Sequence, residues 1–375
     1  MKSEIIKEFS ALLDEPLNRL VEKARGEGRR AIGYTCSYVP EPIIGVEGLV
    51  PVRLRAPGVS GTPMADTYLS SVICSYTRSL LEFALDGMFS GLDGWAFTAS
   101  CDHLRRLYDN LEYLEKPEFN FIIDLPHKTG DDALDWYVEE LASMARAISE
   151  HFDVDTGPDA LRGAIEKHNK YIEVMRGIGN LRRRENPPIT GTEFHTLTAA
   201  LAASPAYLLL EKLSALRTEL EGAVGPGDHR ARLMLVGSQM DDPRYIGIIE
   251  SQGGLVVADR CCVGSIPGLE PIEINGDPLR SLAAHYLGKT PCPRMMDEFG
   301  RRVDDTLRAA RDFNVDGIVV ETMKFCDCWG VESSLLVSAL REAGYPVLRV
   351  EREYSLTGEG QLRTRIQAFI ESMGK

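Results

Sequence analysis

Eight short runs of β-forming residues, each separated from the next by a stretch with helical character, constrain this chain more than anything else in its sequence. The first four are Ala31–Thr35, Val50–Leu54, Gly94–Ala99 and Phe119–Asp124. The second four are Arg232–Val236, Leu255–Ala258, Gly317–Val320 and Pro346–Val350. Strands that alternate with helices are joined by crossovers, and crossovers produce parallel sheets with helices on their faces. The expected fold is α/β: two Rossmann-like units with mainly parallel four-stranded sheets, plus a helical region between them. Leu134, Tyr137, Val138, Leu141, Ala145 and Ile148 recur at helical spacing and mark that middle region. The run Arg182-Arg183-Arg184-Glu185-Asn186-Pro187-Pro188 breaks it, and Gly222–Asp228, rich in Gly and Pro, reads as the linker out of it. The expected boundaries are an N-terminal α/β unit over 1–130, the helical region and linker over 131–228, and a C-terminal α/β unit over 229–375. No sequence repeat relates the two units.

Charge narrows the partners. Against 42 Lys and Arg stand 56 Asp and Glu, a formal net charge of −14. A surface that acidic repels phosphate backbones and anionic lipid heads, so neither nucleic acid nor membrane is an expected partner. No apolar run approaches the roughly 18–20 residues needed to span a bilayer. The opening Met1-Lys2-Ser3-Glu4-Ile5-Ile6-Lys7-Glu8 carries charges where a signal peptide has its apolar stretch. The expected location is the cytoplasm.

Eight cysteines in a reducing compartment then need an explanation. Taken singly, each reads as a small buried hydrophobe. Their scatter excludes a compact zinc ribbon, and the close sets Cys261-Cys262 and Cys326-Asp327-Cys328 are tighter than a C-x₂-C pair. Their places in the fold are more telling. Cys36, Cys101, Cys261 and Cys326 each fall just past an expected strand, where open α/β sheets put their ligand crevices. Cys74 lies near the start of the helix carrying Leu80, Leu81, Phe83 and Ala84, and Cys292 lies between two prolines. Four of eight thiols at strand ends argue for a shared site. Sulfur ligands from distant loops suit an iron–sulfur cluster, and helix amino termini favour its negative charge. The helix after Cys101 opens Asp102-His103-Leu104-Arg105-Arg106, whose arginines offset further anionic charge; His103 reads equally as a capping or surface residue. A catalytic Cys–His pair would explain one thiol and leave the others unused.

Ala283-Ala284-His285-Tyr286-Leu287-Gly288-Lys289-Thr290 fits a relaxed Walker A pattern. A P-loop needs a strand before it and a helix after it, so that backbone N–H groups can cradle phosphate. Here Pro278–Tyr286 reads as a helix before it and Pro291-Cys292-Pro293 blocks a helix after it. No nucleotide site is expected there.

The chain resembles the 2-hydroxyacyl-CoA dehydratase/benzoyl-CoA reductase family. The resemblance rests on Gly33-Tyr34-Thr35-Cys36-Ser37-Tyr38-Val39-Pro40-Glu41-Pro42-Ile43-Ile44, on Glu47-Gly48-Leu49-Val50-Pro51-Val52 and on the surroundings of Cys74 and Cys101. Met323-Lys324-Phe325-Cys326-Asp327 and the tail from Gly360 to Phe369 extend it over nearly the whole chain. In that family, cysteines at the positions of Cys74, Cys101 and Cys326 hold a [4Fe–4S] cluster. Cys36, Cys261 and Cys292, with Asp259-Arg260-Cys261, Tyr286-Leu287 and Val331-Glu332-Ser333, are similar to the double-cubane branch, whose six cysteines hold an [8Fe–9S] cluster. The resemblance implies a homodimer that takes low-potential electrons from a separate ATP-hydrolysing [4Fe–4S] activator and reduces small molecules, so that ATP is used only through that partner. Cys262 and Cys328 fall outside the six. Candidate hydrogen-bond donors near the thiols are Ser37, Ser75, Tyr76, Ser100 and Lys324. Two alternatives stand beside the reductase: a [4Fe–4S] subunit of a 2-hydroxyacyl-CoA dehydratase or benzoyl-CoA reductase, and a non-catalytic electron carrier.

Overall fold

All eight expected strands form, each within a few residues of its expected limits. The computed structural model describes residues 3–265, 269–289 and 292–374. In chain order the strands are β1 (Arg30–Tyr34), β2 (Leu49–Arg53), β3 (Gly94–Thr98), β4 (Asn120–Ile123), β5 (Ala231–Gly237), β6 (Gly254–Arg260), β7 (Gly317–Met323) and β8 (Val347–Arg352). They build two four-stranded sheets, ordered β2-β1-β3-β4 and β6-β5-β7-β8, in which every pairing is parallel. The sequences explain the burial. Gly94-Trp95-Ala96-Phe97-Thr98 and the whole of β7 are buried along their length, as central parallel strands covered on both faces are. The edge strands β4 and β8 keep partly exposed positions.

In each sheet the first strand in sequence pairs with its successor on one side and with a later strand on the other. The direction in which strands are added to the sheet therefore reverses at β1/β3 and again at β5/β7, and such switch points open a crevice beyond the carboxyl ends of the strands. Gly237 closes β5 at the second of these. A Cβ there would lie 2.4 Å from the carbonyl oxygen of Glu321, so only glycine lets β5 approach β7 this closely.

Helices of the middle segment pack against the sheets. The helix Asp131–Phe152 places Tyr137, Leu141, Met144 and Ile148 in one core with Ile32, Tyr34 and Ala96 of the first sheet. Leu282 and Tyr286, from the helix Pro278–Lys289 in the second half of the chain, complete that core. The helix Pro158–Leu181 ends at the first arginine of the expected breaker, and the next helix starts at Gly191 behind a Thr190/Glu193 capping box. The Walker-like octapeptide begins inside the helix Pro278–Lys289, with no strand ahead of it; Thr290 and Pro291 lie outside the described residues. No helix among the described residues is long and apolar enough to cross a membrane.

Candidate functional site

The two switch-point crevices share one cavity of about 110 Å³. It is lined by seven cysteines: Cys36, Cys74, Cys101, Cys262, Cys292, Cys326 and Cys328. Cys36 follows β1 and Cys101 follows β3. From the other sheet, Cys262 follows β6 and Cys326 and Cys328 follow β7, while Ser238 and Gln239 arrive from the end of β5. Cys74, Cys101 and Cys326 are the residues immediately before the helices Ser75–Leu85, Asp102–Leu114 and Asp327–Glu342. Each sulfur therefore sits in the positive field of a helix end and is hydrogen-bonded to the first turn of its own helix, Cys74 to Thr77, Cys101 to the backbone of Leu104 and Cys326 to the backbone of Trp329. Phe325, just before Cys326, has φ +63, a costly backbone conformation for a bulky side chain.

Cys261 is the departure from expectation. Its thiol is fully buried in the hydrophobic core beside Leu235, Met240, Tyr245 and Val256, with Sγ 3.9 Å from the carbonyl oxygen of Leu235. Successive residues of an extended chain point to opposite sides, and the chain leaving β6 presents Cys262, not Cys261, to the cavity. Cys328, also set aside on sequence grounds, lies within hydrogen-bonding reach of Cys292.

Electrostatics explain why these thiols sit awkwardly by themselves. Burial pushes the Cys101 thiol well up, and the neighbouring sulfurs of Cys74, Cys326 and Cys36 push it further. Cys326 is raised by burial, then by Cys74, Cys262 and Cys292. Cys262 is raised by burial, then by Cys292 and Cys36. Cysteines so close together ionise jointly only if positive charge is shared among them. Among the described residues, no three His, Cys, Asp or Glu side chains form a group able to hold a metal ion. Thr35 Oγ1, Arg53 Nε, Gln239 Nε2 and Trp329 Nε1 are buried without hydrogen-bond partners, and all four residues line the cavity. Buried donors are satisfied in most native sites, so four around one cavity call for an acceptor, and cluster sulfurs accept such bonds.

The residues expected near the thiols divide. Ser37 lines the cavity; its hydroxyl donates to the carbonyl of Cys262 at 2.7 Å and accepts from Arg53. Tyr76 and Ser100 also line it. Ser75 instead accepts from the backbone N–H of Tyr354, and the half-exposed Lys324 pairs with Glu353, so neither reaches the cavity. His103 is buried: Nδ1 accepts from the Cys74 N–H at 3.2 Å and Nε2 faces Asp327 at 3.3 Å, tying two cysteine-bearing turns together. Arg105 and Arg106 pair on the surface with Asp124, Asp102 and Asp109.

Arg53, Arg294 and Arg302 escape the sequence reading. Nothing in the sequence distinguishes a buried arginine from a surface one. Arg294, two residues after Cys292, donates to the carbonyls of Ala99, Ser100, Leu125 and Pro126 and so fastens the Cys292 loop to the ends of β3 and β4. Arg302 forms a buried pair with Glu332 and donates to the carbonyls of Cys292 and Met295. Replacing Arg294 by Met leaves those buried carbonyls unsatisfied and is expected to cost about 2–4 kcal/mol, measurable as a lowered denaturation midpoint under anaerobic conditions. An unchanged midpoint would show that the loop holds without it.

The sequence profile of the 2-hydroxyglutaryl-CoA dehydratase D-component family matches residues 36–373. The chain belongs to that D-component family. Similar relatives include the putative dehydratase subunit YjiM of Escherichia coli strain K12, 25% identical with 91% of each chain covered. The (R)-phenyllactyl-CoA dehydratase beta subunit of Clostridium sporogenes is 24% identical with 98% of each chain covered. The (R)-2-hydroxyglutaryl-CoA dehydratase subunit beta of Acidaminococcus fermentans is 24% identical with 99% of each covered.

Proposed function

We propose that this chain holds an iron–sulfur cluster on Cys36, Cys74, Cys101, Cys262, Cys292 and Cys326, with Cys328 beside them. On this reading the cluster is a double-cubane [8Fe–9S] centre, and the chain is the reductase component of a two-component system. A separate ATP-hydrolysing [4Fe–4S] activator supplies low-potential electrons, the working form is a homodimer, and the substrates are small molecules. The observation that carries the proposal is the convergence of seven thiols and four unpartnered polar groups on one cavity. When bound, the cluster supplies electrons at low potential. The protein's part is to donate hydrogen bonds to sulfur from Arg53, Gln239 and Trp329, to lower the charge of the site with Arg53, and to exclude water by burial.

A second reading has its own support, the full-length similarity to beta subunits of acyl-CoA dehydratases. There the chain is one subunit of a dehydratase with a single [4Fe–4S] cluster and an acyl-CoA substrate. Anaerobic purification with iron and sulfide analysis and EPR separates the two. About eight irons per chain are expected for the reductase and about four for the dehydratase subunit. A chain that binds no iron overturns both.

A further inference from the structure

Beside the cysteine cavity lies a second, smaller chamber of about 80 Å³. The two share Ser37, Arg53 and Cys262 as a common wall. The chamber's other lining is unusually rich in groups that carry protons: Tyr34, Glu41, His168, Tyr171, His285 and Tyr286. Glu41 is their hub. Tyr34 donates to one carboxylate oxygen at 2.7 Å and Tyr171 to the other at 3.0 Å. The Tyr171 hydroxyl is also hydrogen-bonded to His168 Nδ1, which lies 3.8 Å from the carboxylate, and the backbone N–H of Glu41 donates to Tyr286. The Glu41 side chain is 26% exposed, so it meets solvent at one edge and the chamber at the other. Burial holds His168 below the usual imidazole range, against the pull of Glu41. The cation at the shared wall, Arg53, is 4% exposed and is held by Ser37, Gln239 and the face of Tyr34.

We propose that this chamber admits the substrate, a molecule of a few heavy atoms, and that Glu41 is the general acid that protonates it. The inference rests on the cluster reading above and adds to it the side from which substrate and protons arrive. Acetylene serves as the probe because it has no titratable group of its own, so a pH profile reports on the protein. Its reduction takes two electrons and two protons and gives ethylene. The electrons come from the low-potential iron–sulfur activator. The Glu41 carboxyl O–H breaks as a C–H bond forms, leaving a carboxylate that water reprotonates at the exposed edge, and the second proton comes from water. His168 and Tyr171 position the carboxyl. The groups facing Glu41 are Tyr34 from β1, His168 and Tyr171 from the helix Pro158–Leu181, and Tyr286 from the helix Pro278–Lys289, with His285 and Arg53 on the same chamber wall.

The experiment uses the full cluster-loaded chain with saturating activator. Glu41→Gln is expected to keep wild-type iron content and EPR signals, to lower kcat for acetylene by about 100-fold with KM little changed, and to lose the limb on which kcat falls as pH rises. Glu41→Asp is expected to restore part of kcat. A Glu41→Gln protein with intact iron, wild-type kcat and an unchanged limb overturns the proposal. Loss of iron in both Glu41 variants makes the residue structural and overturns it equally. A wild-type chain without iron overturns the cluster reading and this inference with it.

Discussion

Replacing Cys262 by Ala is expected to cut bound iron from about eight per chain to about four or fewer, whereas replacing its neighbour Cys261 by Ala should leave iron at the wild-type level. The two substitutions are chemically identical and one residue apart, so they test placement alone. Cys262 lines the cavity; Cys261 lies in the core of the second sheet, where its truncation should cost about 1 kcal/mol of stability and nothing in metal content. Iron and sulfide analysis of anaerobically purified variants reads the first effect, and a denaturation midpoint reads the second. Equal loss of iron from both proteins would sink the assignment of Cys262.

Arg53→Met is expected to speed the release of iron to a chelator by about 10- to 100-fold. The guanidinium is buried, no carboxylate pairs with it among the described residues, and its Nε has no hydrogen-bond partner. A buried cation in that position is costly unless an anion completes the site, and a thiolate-ligated cluster is such an anion. Arg53→Lys should rescue only part of the effect, because a single ammonium does not reproduce the planar fork that spans Ser37 and Gln239. Release at the wild-type rate from Arg53→Met would mean that the cation answers to something else.

The layered architecture was legible because each strand is short, rich in β-branched or aromatic residues and bounded by helical segments; the eight strands and their parallel pairing follow from that alternation. The convergence of most cysteines was legible for a related reason, since a parallel strand delivers its next residues to one edge of the sheet. Parity was harder. Whether Cys261 or Cys262 faces the crevice turns on one residue of extended chain beyond β6, and sequence periodicity does not resolve a single step. Cys328 stays outside the six, and the first turn of its helix folds it back beside Cys292. The buried arginines were invisible because burial of a long cationic side chain depends on carbonyls and carboxylates from elsewhere in the chain. Arg294 is satisfied by Ala99 and Leu125, and Arg302 by Glu332, and no local pattern announces these pairings. The sequence points to His103 as readily as to any surface cap, yet it lies between the turns of Cys74 and Asp327.

Because the cavity takes its sulfurs from both sheets and from the loop that Arg294 ties down, it exists only once the long-range contacts between the two halves have closed. On the proposed cluster reading, iron loading would therefore follow folding, because an unfolded chain retains no preformed site for it. Anything bound there stabilises the closed arrangement by mass action, so removing iron should lower the cooperativity with which the halves come apart before it disturbs either sheet. A maturation factor for this chain would have to deliver its cargo to a nearly finished protein. Oxygen reaching such a cluster would then undo the assembly from inside.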